Sequence, residues 1–161
     1  MPTISNASIT PSGLTVPEAS ITDRSLAANV RSVFSPGPGE LFAAASTVTA
    51  LTKDVYVVTG ANGKLLGFTA AINGTIATGA DRTVTVDLHK STGAGAFATV
   101  LSSTIGFTNS SSLRTAVSGV FSSTSLVAGD CLRVIVTVAG SAGNQALGLV
   151  CSIQMREETT G

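Results

Sequence analysis

The chain has 161 residues, of which 43% are hydrophobic and only 11% charged, well under the quarter or so that is usual. Nine Lys and Arg balance nine Asp and Glu, which excludes the basic footprint of a nucleic-acid binder. The length fits one domain with room for an appendage, and no apolar run reaches the roughly 18 residues of a membrane helix.

The first forty residues stand apart from the rest. All five prolines lie there, at Pro2, Pro11, Pro17, Pro36 and Pro38. Apolar residues are widely spaced (Ile4, Ile9, Leu14, Val16, Ile21), with Ser, Thr and Asn between them. Such a segment cannot bury enough apolar surface to fold alone. It reads as an extended N-terminal arm, residues 1–40, that acquires order by lying against a partner. One helix is expected inside it: Thr22 or Asp23 can cap it, Leu26, Val30, Val33 and Phe34 share one helical face, and Ser35-Pro36 ends it. Pro36-Gly37-Pro38-Gly39 reads as the hinge to a body spanning residues 41–161.

In the body, Phe42 to Leu51 is expected as a strand, Lys53-Asp54 as a turn, and Val55 to Val58 as the next strand. Asn62-Gly63 and Asn73-Gly74 carry hairpin-turn chemistry on either side of Lys64 to Ile72. Arg82 to Lys90 alternates cleanly, with Val84, Val86 and Leu88 inward and Thr83, Thr85, Asp87 and His89 outward. Phe97 to Phe107 and Arg114 to Phe121 read as further strands. Leu126 to Arg156 reads as a closing hairpin: Leu132, Val134, Val136 and Val138 line one face, Leu149, Cys151, Ile153 and Met155 another, and Gly140 to Asn144 is the loop. About eight short strands with turn chemistry between them predict an all-β fold, a β-sandwich or jelly roll.

The candidate chemistry is sparse. His89, the one histidine, lies near Asp87, but both face outward and no serine motif accompanies them. Gly60 to Leu65 contains Gly-Lys, yet Val58 and Leu65 stand where a phosphate loop needs Gly and Ser or Thr. Gly93-Ala94-Gly95 lacks the third glycine of a dinucleotide turn. Asp81, Asp87 and Asp130 lack calcium-loop spacing, and Asp130, after Gly129, reads as a turn residue. Cys131 and Cys151 fit no zinc pattern and read as buried, reduced thiols. With no Trp and only Tyr56, little is available to stack on a sugar ring. Met1 to Thr10 lacks a basic-then-apolar secretion signal, so synthesis in the cytoplasm is expected and the Asn-X-Ser/Thr triplets are read as chance matches. No catalytic residue, cofactor or metal is expected.

The stretches ADRTVTVDLHKSTGAGAFATVLSS and LVAGDCLRVIVTVAGSAGNQALGLVCSIQMREE, which together cover about Asp81 to Glu158, resemble the small β-sandwich structural proteins of tailed bacteriophages, including capsid decoration (cement) proteins. The resemblance is carried by Arg82 to Lys90, by Thr99 to Ser103 and by Ala128-Gly129-Asp130 leading into Leu132. It implies a virion protein on the capsid exterior, often a homotrimer, whose arm runs along neighbouring major capsid subunits. Leu26, Val30, Val33, Phe34 and Phe42 are then the expected anchors on the partner. The alternative is a tail-fibre or receptor-binding module that binds a cell-surface ligand. Neither reading involves nucleic acid or a membrane.

Overall fold

The structure, a computed structural model, describes residues 8–10, 13–15, 30–33, 40–60, 62–74, 76, 83–140 and 146–157. Two antiparallel sheets pack on one another. In the first, β6 (Asn62–Gly74) pairs with β13 (Leu147–Glu157) over almost their whole lengths. The far side of β13 carries β3 (Val30–Val33) and β4 (Glu40–Thr47); the far side of β6 carries β10 (Val117–Ser118) and β11 (Ser125–Val127). In the second sheet β12 (Asp130–Ala139) lies between β5 (Leu51–Val57) and β7 (Thr83–Thr92), and β7 is bordered by β8 (Ala98–Thr99) and β9 (Ile105–Phe107). Since β8 and β9 share one edge and β10 and β11 another, β4 to β13 fill about eight strand positions, as the turn spacing predicts.

Alternation builds the core. Val84, Val86 and Leu88 of β7 are fully buried, and Leu132, Val134 and Val136 of β12 are almost so. Opposite them lie Leu65, Phe68, Ala70 and Ile72 of β6 and Leu149, Cys151, Ile153 and Met155 of β13. Each buried Val or Leu contributes roughly 1.5–3 kcal/mol, so a two-sided layer of them is the main stabilising term. Between Gln154 and Met155 the register against β6 slips by one residue. The extra residue, Leu66, is turned out and exposed while Leu65 and Phe68 both stay in the core. One flank is closed by a Leu101–Phe121 bridge between the sheets, reinforced by Ser102 N–H to Val120 O at 2.8 Å and Ser122 N–H to Val100 O at 2.9 Å.

Several expectations are corrected. β12 and β13 are not a hairpin: they belong to opposite sheets and are linked across the core. Alternation identifies a strand's buried face and says nothing of its neighbour, which here is β5 and β7 for β12 and β6 for β13. Asn62-Gly63 begins β6 instead of turning a hairpin, and Lys53 and Asp54 lie inside β5, where Asp54 sits across from Arg133. Phe42 to Leu51 is broken at Val48, whose N–H donates to Ala146 O at 2.8 Å, so that the chain crosses from β4 to β5. Arg114 to Phe121 holds only the short β10, and Arg114 has φ of 55°.

The leading segment is also partly corrected. Val30–Val33, expected to be helical, is a strand whose register runs from Ile153↔Val33 to Arg156↔Val30. β-branched Val at both ends favours the extended form. This piece therefore completes its own chain's sheet instead of waiting for a partner. The rest of the expected helix, including Leu26 and Phe34, lies outside the described residues. Earlier in the segment, β1 (Ser8–Thr10) and β2 (Gly13–Thr15) form a ribbon of three residue pairs and join no other strand among the described residues.

Candidate functional site

The outward face of β7 carries Asp87 and His89, two residues apart and so on the same side of the sheet. His89 Nε2 is 3.0 Å from Asp87 Oδ2, and the Thr99 hydroxyl of β8 donates to Asp87 Oδ1 at 2.7 Å. The order of these three decides their chemistry. A nucleophile relay needs the imidazole between hydroxyl and carboxylate, so that it can take the hydroxyl proton. Here the carboxylate lies between the other two, and the Thr99 hydroxyl meets Asp87 and not the imidazole. The trio instead fixes β8 to β7, consistent with the reading of His89 and Asp87 as surface residues.

Across β12, Arg133 is paired with His89 in register and forms a two-bond ion pair with Asp54 of β5, Nε to Oδ1 at 2.5 Å and Nη2 to Oδ2 at 3.1 Å. Its guanidinium also lies 3.5 Å from the Phe97 ring centroid. The Arg133 hydrogen bond, with its charge, holds the Asp54 carboxyl below its usual range against the opposing effect of desolvation.

A second polar group sits at one end of the sandwich. Asp130, completely buried, places Oδ2 3.1 Å from Lys90 Nζ and 2.9 Å from the Val127 N–H that it accepts. Lys90 Nζ also donates to Ser125 O at 2.9 Å, which ties β7 of one sheet to β11 of the other. Gly129, at φ of 83°, turns the chain into β12, and its N–H donates to Val58 O at 2.9 Å. Asp130 is thus the turn residue it was read to be, with a structural ion pair added. Burial opposes its ionisation, but the Val127 N–H, the Thr92 hydroxyl and Lys90 together outweigh burial and hold its carboxyl below the usual range.

Next to this end is an open pocket of about 330 Å³, lined by Asn62, Gly63 and Lys64 of β6, Thr124 and Ser125 at β11, and Arg156 of β13. Ser125, Lys64 and Arg156 form one row across three strands, since Ser125 pairs with Lys64 and Lys64 with Arg156. Sequence reading missed this site: the two cations are separated by most of the body, and only the β6–β13 register joins them. The one local signal was a basic residue on the polar side of each strand.

The expected anchors are dispersed. Val30 and Val33 lie in β3, Phe42 in β4 is partly buried against its own core, and Leu26 and Phe34 fall outside the described residues. Cys131 and Cys151 are both free thiols; Cys151 is in the core, while Cys131 alternates with Leu132 and is turned away from it. Among the described residues no group of three or more His, Cys, Asp and Glu is arranged to hold a metal ion, and no helix is long and apolar enough to cross a membrane. Comparison with protein families, with curated proteins and with solved structures finds no match to this chain.

Proposed function

We propose that this chain is a structural protein of a bacteriophage particle that decorates the outside of the capsid, its leading residues bridging neighbouring major capsid subunits while the sandwich stands on the shell as a homotrimer. The observation that carries this reading is the β1–β2 ribbon. Three residue pairs, with no further strand beside them among the described residues, make a ribbon of only marginal stability in water. Ile9 pairs with Leu14 at its centre, and so short a ribbon is stabilised by a surface to lie on. A neighbouring subunit supplies one, and once the body has docked, the ribbon binds at high effective concentration.

Two further features support the reading. The chain alternates between sheets along β4, β5, β6, β7, then β10 and β11, β12 and β13. That is the wiring of a jelly roll, a fold used in viral capsids and in lectins. The low charge and zero net charge suit a surface that packs on other protein. Because β3 belongs to the chain's own sheet, the bridging role falls to the residues before it.

The test is removal of residues 1–29, which keeps β3. The shortened protein is expected to fold, with an unchanged β-sheet circular dichroism spectrum, and to fail to stay on purified capsids through sedimentation. Retention equal to that of the full chain would rule out the bridging role.

A further inference from the structure

Resting on the homotrimer of the reading above, we propose that copies of this chain join head to tail, the outer face of the first sheet on one copy receiving the apolar margin beside β6 on the next. Charge is unevenly divided between the two outer faces. That of the second sheet carries Asp54, Asp87, His89 and Arg133. In the first sheet β6 has no charged residue from Leu65 to Gly74, and β13 has none from Leu147 to Met155. Between the buried residues of these strands Thr69, Ala71, Val150 and Ser152 alternate outward and stay partly exposed. Lys64 and Arg156 border this face at one end, and Glu40 borders it on the β4 side. Burying a charge without a partner is strongly unfavourable, so of the two outer faces this is the one that another copy can cover.

The second patch is apolar. Among the described residues, every exposed large hydrophobic except Val57 belongs to the first sheet or to the segment that borders it. Leu113, Val117 and Val120 lie on that segment, which runs along β6 and is fixed there by Arg114 N–H to Ile72 O and Gly119 N–H to Phe68 O, both at 2.8 Å. Leu66 is turned out on the strand they border. Exposed apolar side chains gathered on one margin mark a protein contact. Arg114, the segment's one charged residue, is exposed and suits the polar rim of such a contact. The two patches differ, and that decides the symmetry. A surface that fits itself gives a two-fold dimer, whereas one that fits a different patch on the next copy closes a ring. Three copies in a ring use each face and each margin once and leave neither uncovered.

The test is sedimentation velocity of the full chain in the absence of capsids, so that failure of the decoration role leaves the result standing. The parent is expected to sediment as three chains. Ser152→Arg puts a charge on the face, and Val120→Lys puts one on the margin, where Val120 is 66% exposed and the fold does not resist the change. Each variant is expected to weaken assembly more than about tenfold and to sediment as a single chain. Thr69→Arg, across from Ser152 on β6, repeats the test of the face. A mixture of Ser152→Arg and Val120→Lys is expected to give a two-chain species, because one intact face then meets one intact margin. Thr137→Arg, on the outer face of the second sheet, is expected to keep three chains. A single-chain parent, variants that assemble like the parent, a mixture without the two-chain species, or dissociation by Thr137→Arg would overturn the proposal.

Discussion

Asp130 and Lys90 meet at 3.1 Å with the carboxylate wholly shut off from solvent. Both residues lie in one sheet, yet through Ser125 O the lysine reaches the other. Breaking a buried ion pair by removing one member leaves an uncompensated charge and typically costs about 3–5 kcal/mol. Asp130→Ala is expected to lose stability on that scale in urea unfolding, because Val127 N–H loses its acceptor as well. The double change Asp130→Asn with Lys90→Met is expected to be more stable than Asp130→Asn alone. Equal losses in the two variants would mean that the pair is not coupled.

Stability should depend on pH through the same carboxylate. Asp130 is held below the usual range in the folded chain, so ionisation favours folding. The contribution is present above the unfolded value of about 3.9 and is lost as pH falls through the lower folded value. Asp54 adds in the same direction through Arg133, but that pair is exposed and is weakened by salt. Urea midpoints measured from pH 6 to pH 2 should fall on the acid side in the parent and fall less in Asp130→Asn. Parallel curves would contradict the assignment.

Thiol reactivity should separate the two cysteines. Burial pushes the Cys151 thiol up to about 12, and burial is also the main cause raising Cys131, which is only partly covered. The thiolate is the reactive form. Maleimide labelling of the folded chain is expected to modify Cys131 slowly and Cys151 only on unfolding. Equal rates at both sites would contradict the placement of β13's inner face.

Gly148 is a position where a methyl group should matter. Its φ is 61°, and a Cβ there would lie 2.8 Å from both Ala44 Cα and Asn73 Nδ2. It is where β13 passes between β4 and β6 with an irregular register. Gly148→Ala is expected to cost about 1–3 kcal/mol from backbone strain alone, more if β4 detaches. A melting temperature equal to the parent's would refute the close approach.

Much of the fold was legible in the chain because one physical signal, period-2 alternation, is strong wherever a strand is half-buried. Val84, Val86 and Leu88 show it on β7, and Leu132, Val134 and Val136 on β12, and all six are buried. The same signal cannot name partners, which is why β12 and β13 read as a hairpin although they face each other across the core. Polar dipeptides misled in a second way. Asn62-Gly63 and Lys53-Asp54 look like turns, but Lys53 and Asp54 are tolerated in β5, an edge strand of its sheet, where Asp54 gains Arg133. Val30–Val33 satisfies a helical face and a strand equally well, and pairing with Ile153 to Arg156 decides it. The pocket was illegible for the same reason as the strand partners. Lys64 and Arg156 become neighbours only through a register that no local pattern encodes.

Imaging of the assembled particle by electron cryomicroscopy tests the bridging role most directly. The expected map has the sandwich on the outer shell, with the β1–β2 ribbon lying on an adjacent coat subunit. A map in which the chain is absent from the shell, or in which the ribbon folds back onto its own sandwich, would contradict it.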